Sequence, residues 1–205
     1  MTAQLITSGQ QKTLERVTQD ATARACRELG LTKDSAQRVL GRGDELSLRI
    51  KAILLDLSLD PNVLPIDRTS AFDPVAFISE GWSIIEEDER ALALTEVDLN
   101  RVTFETMLRS GEVSVKGEKK LKRLIASGKI RLDAKVLQTL WENKALIPES
   151  WKSKGYIFFD GTVLCDRSGH RCILYLYWSG GEWHWFDSWL GDDLDARRPS
   201  ACLAS

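Results

Sequence analysis

Gly155-Tyr-Ile-Phe-Phe159-Asp160-Gly161-Thr162-Val-Leu-Cys165-Asp166-Arg-Ser-Gly169-His170-Arg-Cys172-Ile-Leu-Tyr175-Leu-Tyr177-Trp178-Ser179-Gly180-Gly181-Glu182-Trp183-His184-Trp185-Phe186-Asp-Ser-Trp189 carries the period-two alternation of β-strands, broken at each interval by Gly and Asp. It predicts strands at 156–159, 162–165, 170–178 and 182–189, joined by turns at Asp160-Gly161, Asp166–Gly169 and Ser179–Gly181. The expected product is a four-stranded antiparallel meander.

Turn length then fixes the register. With Ser179-Gly180-Gly181 as a three-residue loop, Tyr177 faces Trp183 and Tyr175 faces Trp185. Tyr175, Tyr177, Trp183 and Trp185 then share one face with Ile173, and Cys172, Leu174, Leu176, His184 and Phe186 share the other. The more aliphatic face is the expected core. An exposed aromatic face would be a stacking surface for bases, sugars or a peptide. The plainer reading packs the aromatics onto the segment between Trp141 and Trp151.

A four-residue turn at Asp166–Gly169 would bring Cys165, His170 and Cys172 to one face, a set of ligand types that suits zinc. A structural zinc site wants four ligands and no fourth is evident, so the expectation is buried thiols and no metal. His184 and Asp187 fall on opposite faces, and Asp160 and Asp166 occupy turn starts where aspartate bonds its own backbone. No GxSxG, GxGxxG, Walker or HExxH motif is present, so no catalytic residue and no cofactor is expected. A small hydrolase or nuclease around Asp160, Asp166 and His170 is the remotest alternative.

Upstream of the meander the period is helical. Lys116–Ser127 predicts a helix with Leu121, Leu124 and Ile125 inward and Gly128 at its end. Asp133 is placed to cap a second helix reaching Asn143, with Val136, Leu137, Leu140 and Trp141 as its apolar stripe. Charge segregates in the middle of the chain. Residues 80–98 hold seven acidic residues against one basic, and residues 116–135 hold eight basic against two acidic. Opposite runs this close favour self-complementation, within the chain or between copies.

Residues 59–74 contain three of the five prolines and read as a linker. Before them, residues 1–58 read as three helices. Leu14, Val17, Ala21, Ala25 and Leu29 form one apolar stripe, and Leu46, Ile50, Ile53, Leu54 and Leu57 another, with Gly30 and Gly41-Arg-Gly43 as breaks. The segment Ala25-Cys26-Arg-Glu-Leu29-Gly30-Leu31-Thr-Lys-Asp-Ser-Ala36-Gln-Arg-Val39 has the spacing of a helix-turn-helix. In that reading Thr32, Lys33, Gln37, Arg38 and Arg42 face DNA. Residues 1–60 carry nine basic groups against eight acidic ones, however, and a glycine-linked helix pair also builds any small bundle.

The 205 residues are 43% hydrophobic and 28% charged with a formal net charge of −2, an ordinary globular composition with no overall attraction to nucleic acid or anionic membrane. No stretch approaches a membrane span, the start lacks the features of a signal peptide, and four scattered cysteines read as reduced thiols. The expected compartment is cytoplasmic.

Ser79-Glu-Gly-Trp-Ser-Ile84, Leu94-Thr-Glu-Val-Asp98, Gly117-Glu-Lys-Lys-Leu-Lys-Arg-Leu124, Ile130-Arg-Leu-Asp-Ala134, Leu146-Ile-Pro-Glu-Ser-Trp151 and Pro199-Ser-Ala-Cys-Leu-Ala-Ser205 together resemble an uncharacterised family of bacterial proteins with a tryptophan-rich C-terminal meander. The resemblance covers about two thirds of the chain and implies no activity, cofactor or catalytic residue.

The sequence therefore predicts an α+β protein. An N-terminal helical region at 1–58 precedes a linker, and an α+β domain at 74–205 packs a helical block on the meander. Its expected work is non-enzymatic binding of a protein or other macromolecule through Tyr175, Tyr177, Trp183 and Trp185. The alternative is DNA binding through residues 25–42, and a homo-oligomer is compatible with either.

Overall fold

The computed structural model describes residues 7–30, 32–43, 45, 49 and 62–204. The chain divides into two compact units at Leu59/Asp60.

In the first unit, α1 (Ser8–Glu28) starts at a capping box in which Thr7 and Gln10 exchange side-chain and backbone bonds. Leu29 and Gly30 end it, Gly30 at φ 57°, and α2 (Lys33–Leu40) follows with the Thr32 hydroxyl accepting from Ser35 N. The expected third helix, with Leu46, Ile50, Ile53, Leu54 and Leu57, lies outside the described residues.

The second unit is α+β, and it corrects the pure meander. Its strands are β1 (Val63–Pro65), β2 (Ser83–Glu87), β3 (Glu96–Asp98), β4 (Thr103–Glu105), β5 (Ser114–Lys116), β6 (Ile130–Arg131), β7 (Tyr156–Phe158), β8 (Thr162–Cys165), β9 (Arg171–Ser179), β10 (Glu182–Trp189), β11 (Asp193–Asp195) and β12 (Ser200–Leu203). Eight of them form one mixed sheet in the order β2-β8-β9-β7-β12-β4, with β10 beside β9 and β6 beside β12. The pairs β1–β3 and β5–β11 stand apart.

Asp160-Gly161 does not reverse the chain. β7 and β8 both run antiparallel to β9, Tyr156 opposite Tyr177 and Cys165 opposite Arg171, while β10 occupies the other edge of β9 along its length. The two segments are one long strand interrupted by a bulge at residues 159–161. The bulge is held by Gly161 N donating to Leu132 O and by Asp88 N donating to Gly161 O. The C-terminal β12 returns parallel to β7, which makes the sheet mixed.

The two true hairpins are each one residue tighter than expected. Ser179 pairs with Glu182, so the loop is Gly180-Gly181 alone, at φ 61° and 89°, as a type I′ turn requires. At the other hairpin Asp166 N bonds His170 O, which leaves Arg167-Ser168-Gly169 as the loop with Gly169 at φ 83°.

Helices cover both faces of the sheet. Of the two longer ones, α5 (Gly117–Ala126) follows the short turns α3 (Pro74–Phe77) and α4 (Glu89–Leu92), and α6 (Ala134–Glu142) follows it. Asp133 caps α6 by accepting from Val136 N at 2.9 Å. Val136, Leu137 and Leu140 then pack with Leu174, Leu176, Trp151 and Trp183 in the main core. Leu121 of α5 packs the opposite face with Phe158, Val163 and Ile173, whereas Ile125 is exposed.

The linker expectation fails over residues 62–74. Leu64, Ile66 and Phe72 are buried in the main core. Arg68 joins Asp133 at 2.8 Å and donates to the carbonyls of Ala91 and Leu94. Pro65 closes a strand and Pro74 opens a helical turn, both positions that tolerate proline inside a fold. The acidic and basic runs meet at the buried Asp88, whose carboxylate takes Arg90 and Arg131.

Candidate binding face

Cross-strand partners share a face, so the tighter Gly-Gly turn decides which rings stand together. Trp183 lies opposite Trp178, His184 opposite Tyr177, Trp185 opposite Leu176 and Phe186 opposite Tyr175. The predicted set is therefore split. Trp183 and Trp185 turn to the core face with Leu174 and Leu176, and Trp183 is only 3% exposed. They pack in the cluster that contains Trp141 and Trp151, whereas the plainer reading placed Tyr175 and Tyr177 there as well and those two lie on the opposite face. Tyr175 and Tyr177 keep the other face, and His184 and Phe186 replace the tryptophans there.

Tyr156 and Phe158 extend this face from β7, since they pair with Tyr177 and Tyr175. The rings form a contact ladder. Phe158 stacks on Tyr175 at 5.2 Å, Tyr156 lies 5.5 Å from both Tyr175 and Tyr177, and Tyr177 stacks on His184 at 5.2 Å. Phe186 approaches Tyr175 edge-on at 6.5 Å and is 59% exposed. α5 covers the Phe158 and Ile173 end of the face, while Tyr156, Tyr175, Tyr177 and His184 are half-buried. Desolvation, together with the neighbouring Tyr177 and Tyr156, pushes the Tyr175 hydroxyl above its ordinary pKa.

A cavity of about 150 Å³ opens at the Tyr156 side of the ladder, lined by Tyr156, Phe158, Tyr175, Ser188 and Arg198. A second groove of about 340 Å³ lies on the tryptophan side of the hairpin, between Trp178, Trp183, Lys144 and Lys152. There the ammonium groups sit over indole rings, Lys144 on Trp141 at 3.4 Å and Lys152 on Trp178 at 3.9 Å, and Lys152 also pairs with Glu149.

The expected Cys165, His170 and Cys172 face does not form. Leu164 opposes Cys172 and Cys165 opposes Arg171, so the two thiols point to opposite faces. His170 instead bonds Asp166 at 2.9 Å and stacks on Trp189 at 4.2 Å. Partial desolvation raises the Asp166 carboxyl, but bonds from the His170 backbone and ring and from Ser168 N outweigh it and hold the group below its ordinary value. Among the described residues no group of three or more His, Cys, Asp or Glu side chains is placed to hold a metal. Asp160 and Asp166 stand at opposite ends of β8, so Asp160, Asp166 and His170 do not converge.

Of the helix-turn-helix candidates, Thr32 spends its hydroxyl on the α2 cap and Arg42 donates to Glu45. Arg38 donates to Ser35, and Gln37 and Arg38 are exposed. The side chains of Lys33, Ala36 and Val39 lie outside the described residues.

Sequence reasoning missed Tyr156, Phe158, His184, Phe186 and Arg198. For His184 and Phe186 the signal was present, because two adjacent glycines suit a two-residue I′ turn better than a three-residue loop. Tyr156 and Phe158 depended on reading Asp160-Gly161 as a bulge. Nothing local marked Arg198. No helix among the described residues is long and apolar enough to cross a membrane. No family model, no curated protein and no solved structure matches this chain.

Proposed function

We propose that this chain is a non-enzymatic binding protein whose macromolecular ligand stacks on the aromatic face of the mixed sheet. The observation that supports this is the ladder Tyr156, Tyr175, Tyr177, His184 and Phe186. Its rings touch one another, and at one end of a face whose other end a helix covers Tyr156, Tyr175, Tyr177 and His184 are only half-buried while Phe186 is exposed. Large rings without a covering element cost free energy unless a partner removes them from water. Aromatic ladders on sheets accept planar groups with little side-chain entropy to lose, because each ring is already fixed by its neighbours.

Titration of the full chain with a tyrosine-rich peptide, an oligothymidylate and a cello-oligosaccharide tests this, followed through the tyrosine and histidine ring resonances. At least one probe is expected to shift Tyr177 and His184, and a Tyr177→Ala, Phe186→Ala variant is expected to lose about tenfold or more in affinity. If no probe moves these rings, the reading fails.

Duplex-DNA binding through residues 25–42 is the second reading, supported by the short Gly30 connection between α1 and α2 and by exposed Gln37 and Arg38. It requires the full chain to shift duplex DNA in a low-salt gel, with retention falling steeply as salt rises. No shift at low salt removes it.

A further inference from the structure

We propose that the cavity bounded by Tyr156, Phe158, Tyr175, Ser188 and Arg198 is an oxyanion subsite that takes a phosphoryl group of the ligand stacked on the aromatic ladder. The proposal rests on the stacking reading for its ligand, but not for its own chemistry.

The lining is one-sided in its polar character. Its polar side-chain groups are three hydroxyls and one guanidinium, and no carboxylate lines it. Arg198 is half-buried and forms no ion pair with a carboxylate among the described residues, whereas its neighbour Arg197 is held by Asp195 at 2.8 Å. Arg198 spends Nη1 on the carbonyl of Asp193 at 2.6 Å, which fixes the plane of the guanidinium and leaves its other N–H groups free to face an anion. The hydroxyls of Tyr156, Tyr175 and Ser188 have no protein hydrogen-bond partner among the described residues. Four residues with donor groups, from three strands and the segment before β12, thus line a space that suits a tetrahedral oxyanion with its several acceptor oxygens.

The main chain behind the site is anchored. Lys120 is fully buried, donates to the carbonyl of Arg198 at 2.7 Å and stands 4.7 Å from the centre of the Phe158 ring. The backbone that carries Arg198 is therefore tied to α5, and the floor of the cavity is clamped between that helix and Tyr175. Preorganised donors of this kind lose little entropy on binding. The cavity also opens onto the ladder through Tyr156 and Tyr175, which belong to both. A phosphoryl group in the cavity would place an attached planar ring over Tyr177 and His184.

The test uses the full chain with inorganic phosphate, adenosine and adenosine monophosphate as probes, read by the ring resonances of Tyr156, Tyr175 and Tyr177 and by the Arg198 side-chain signal. Phosphate is expected to shift Tyr156, Tyr175 and Arg198 in the millimolar range, and the monophosphate to bind about tenfold tighter than adenosine. Arg198→Met is expected to abolish that preference while leaving adenosine binding unchanged. Ser188→Ala, which removes one hydroxyl of the cavity and leaves every ring of the ladder in place, is expected to weaken phosphate without weakening adenosine. If phosphate leaves these signals unmoved, or Arg198→Met and Ser188→Ala bind it as well as the parent, the subsite is wrong. Equal binding of adenosine and its monophosphate also overturns the subsite while sparing the stacking face. Arg198-dependent phosphate binding with no gain from the adenosine ring supports the subsite and counts against the stacking reading.

Discussion

Replacing Gly161 by alanine is expected to cost the second unit about 3 kcal/mol and to lower its Tm by roughly 10 °C. The residue sits in the bulge between β7 and β8, where three segments meet through their main chains. Its N–H bonds Leu132, its carbonyl accepts from Asp88 N, and the carbonyl of Asp160 beside it accepts from Arg131 Nη1 at 2.9 Å. A Cβ at this position would meet the carbonyl oxygen of Arg131, with Leu132 C at 2.7 Å and Asp133 N at 2.8 Å. All three are backbone atoms, so no rotamer change relieves the contact, and separating the strands would break the bonds that hold the bulge. Asp133 also caps α6 and anchors Arg68, so the disturbance reaches both the helix and the β1 segment. Gly128→Ala is the control, because that glycine has φ 74° but open space around it, and it is expected to cost only about 1 kcal/mol. A loss at Gly161 no larger than at Gly128, measured by urea unfolding, would show that the junction is not tightly packed.

That junction also shows where sequence reading reached its limit. Residues Asp160-Gly161 carry the chemistry of a hairpin turn, and local chemistry alone cannot separate a reversal from a bulge in a continuing strand. What decides is a partner far along the chain, here Leu132 and Asp88, and no periodicity reports it. The same holds for the prolines at 65 and 74, which mark a linker by composition but sit at element boundaries inside the fold. α5 and α6 were legible almost to the residue, because Gly128 and Asp133 act within one turn of the helices they end or start. The split of the aromatic set came from a single residue of register. β9 kept its two faces, but pairing Ser179 with Glu182 exchanged Trp183 and Trp185 for His184 and Phe186. Because the side-chain period of a strand is two, an error of one in loop length moves every ring of β10 to the wrong side.

The buried thiols carry the second large effect, a loss of stability at alkaline pH. Cys172 and Cys202 are both fully buried, and desolvation, reinforced by Asp187 near the first and Asp160 near the second, pushes each from an ordinary 9.0 to about 12. An unfolded thiol loses its proton near 9 while the folded one keeps it. Between those values the unfolded state binds fewer protons, and stability falls as pH rises. Each thiol then contributes a loss of about 1.4 kcal/mol per pH unit. Lys120 acts in the opposite direction. Desolvation, only partly opposed by Asp160, lowers its pKa below 10.5, so the folded state sheds that proton first and stability gains until the unfolded lysine titrates as well. Two thiols outweigh one lysine. Stability in the presence of reductant is therefore expected to fall from about pH 9 upward, by roughly 2–4 kcal/mol at pH 10.5. Cys172→Ala and Cys202→Ala should each shallow that slope by one proton despite the constant cost of the cavity they leave. Lys120→Met should steepen it. Urea midpoints of the parent and the three variants across this range provide the measurement, and a parent curve that stays flat to pH 10.5 would mean that neither thiol is held from solvent in the folded state.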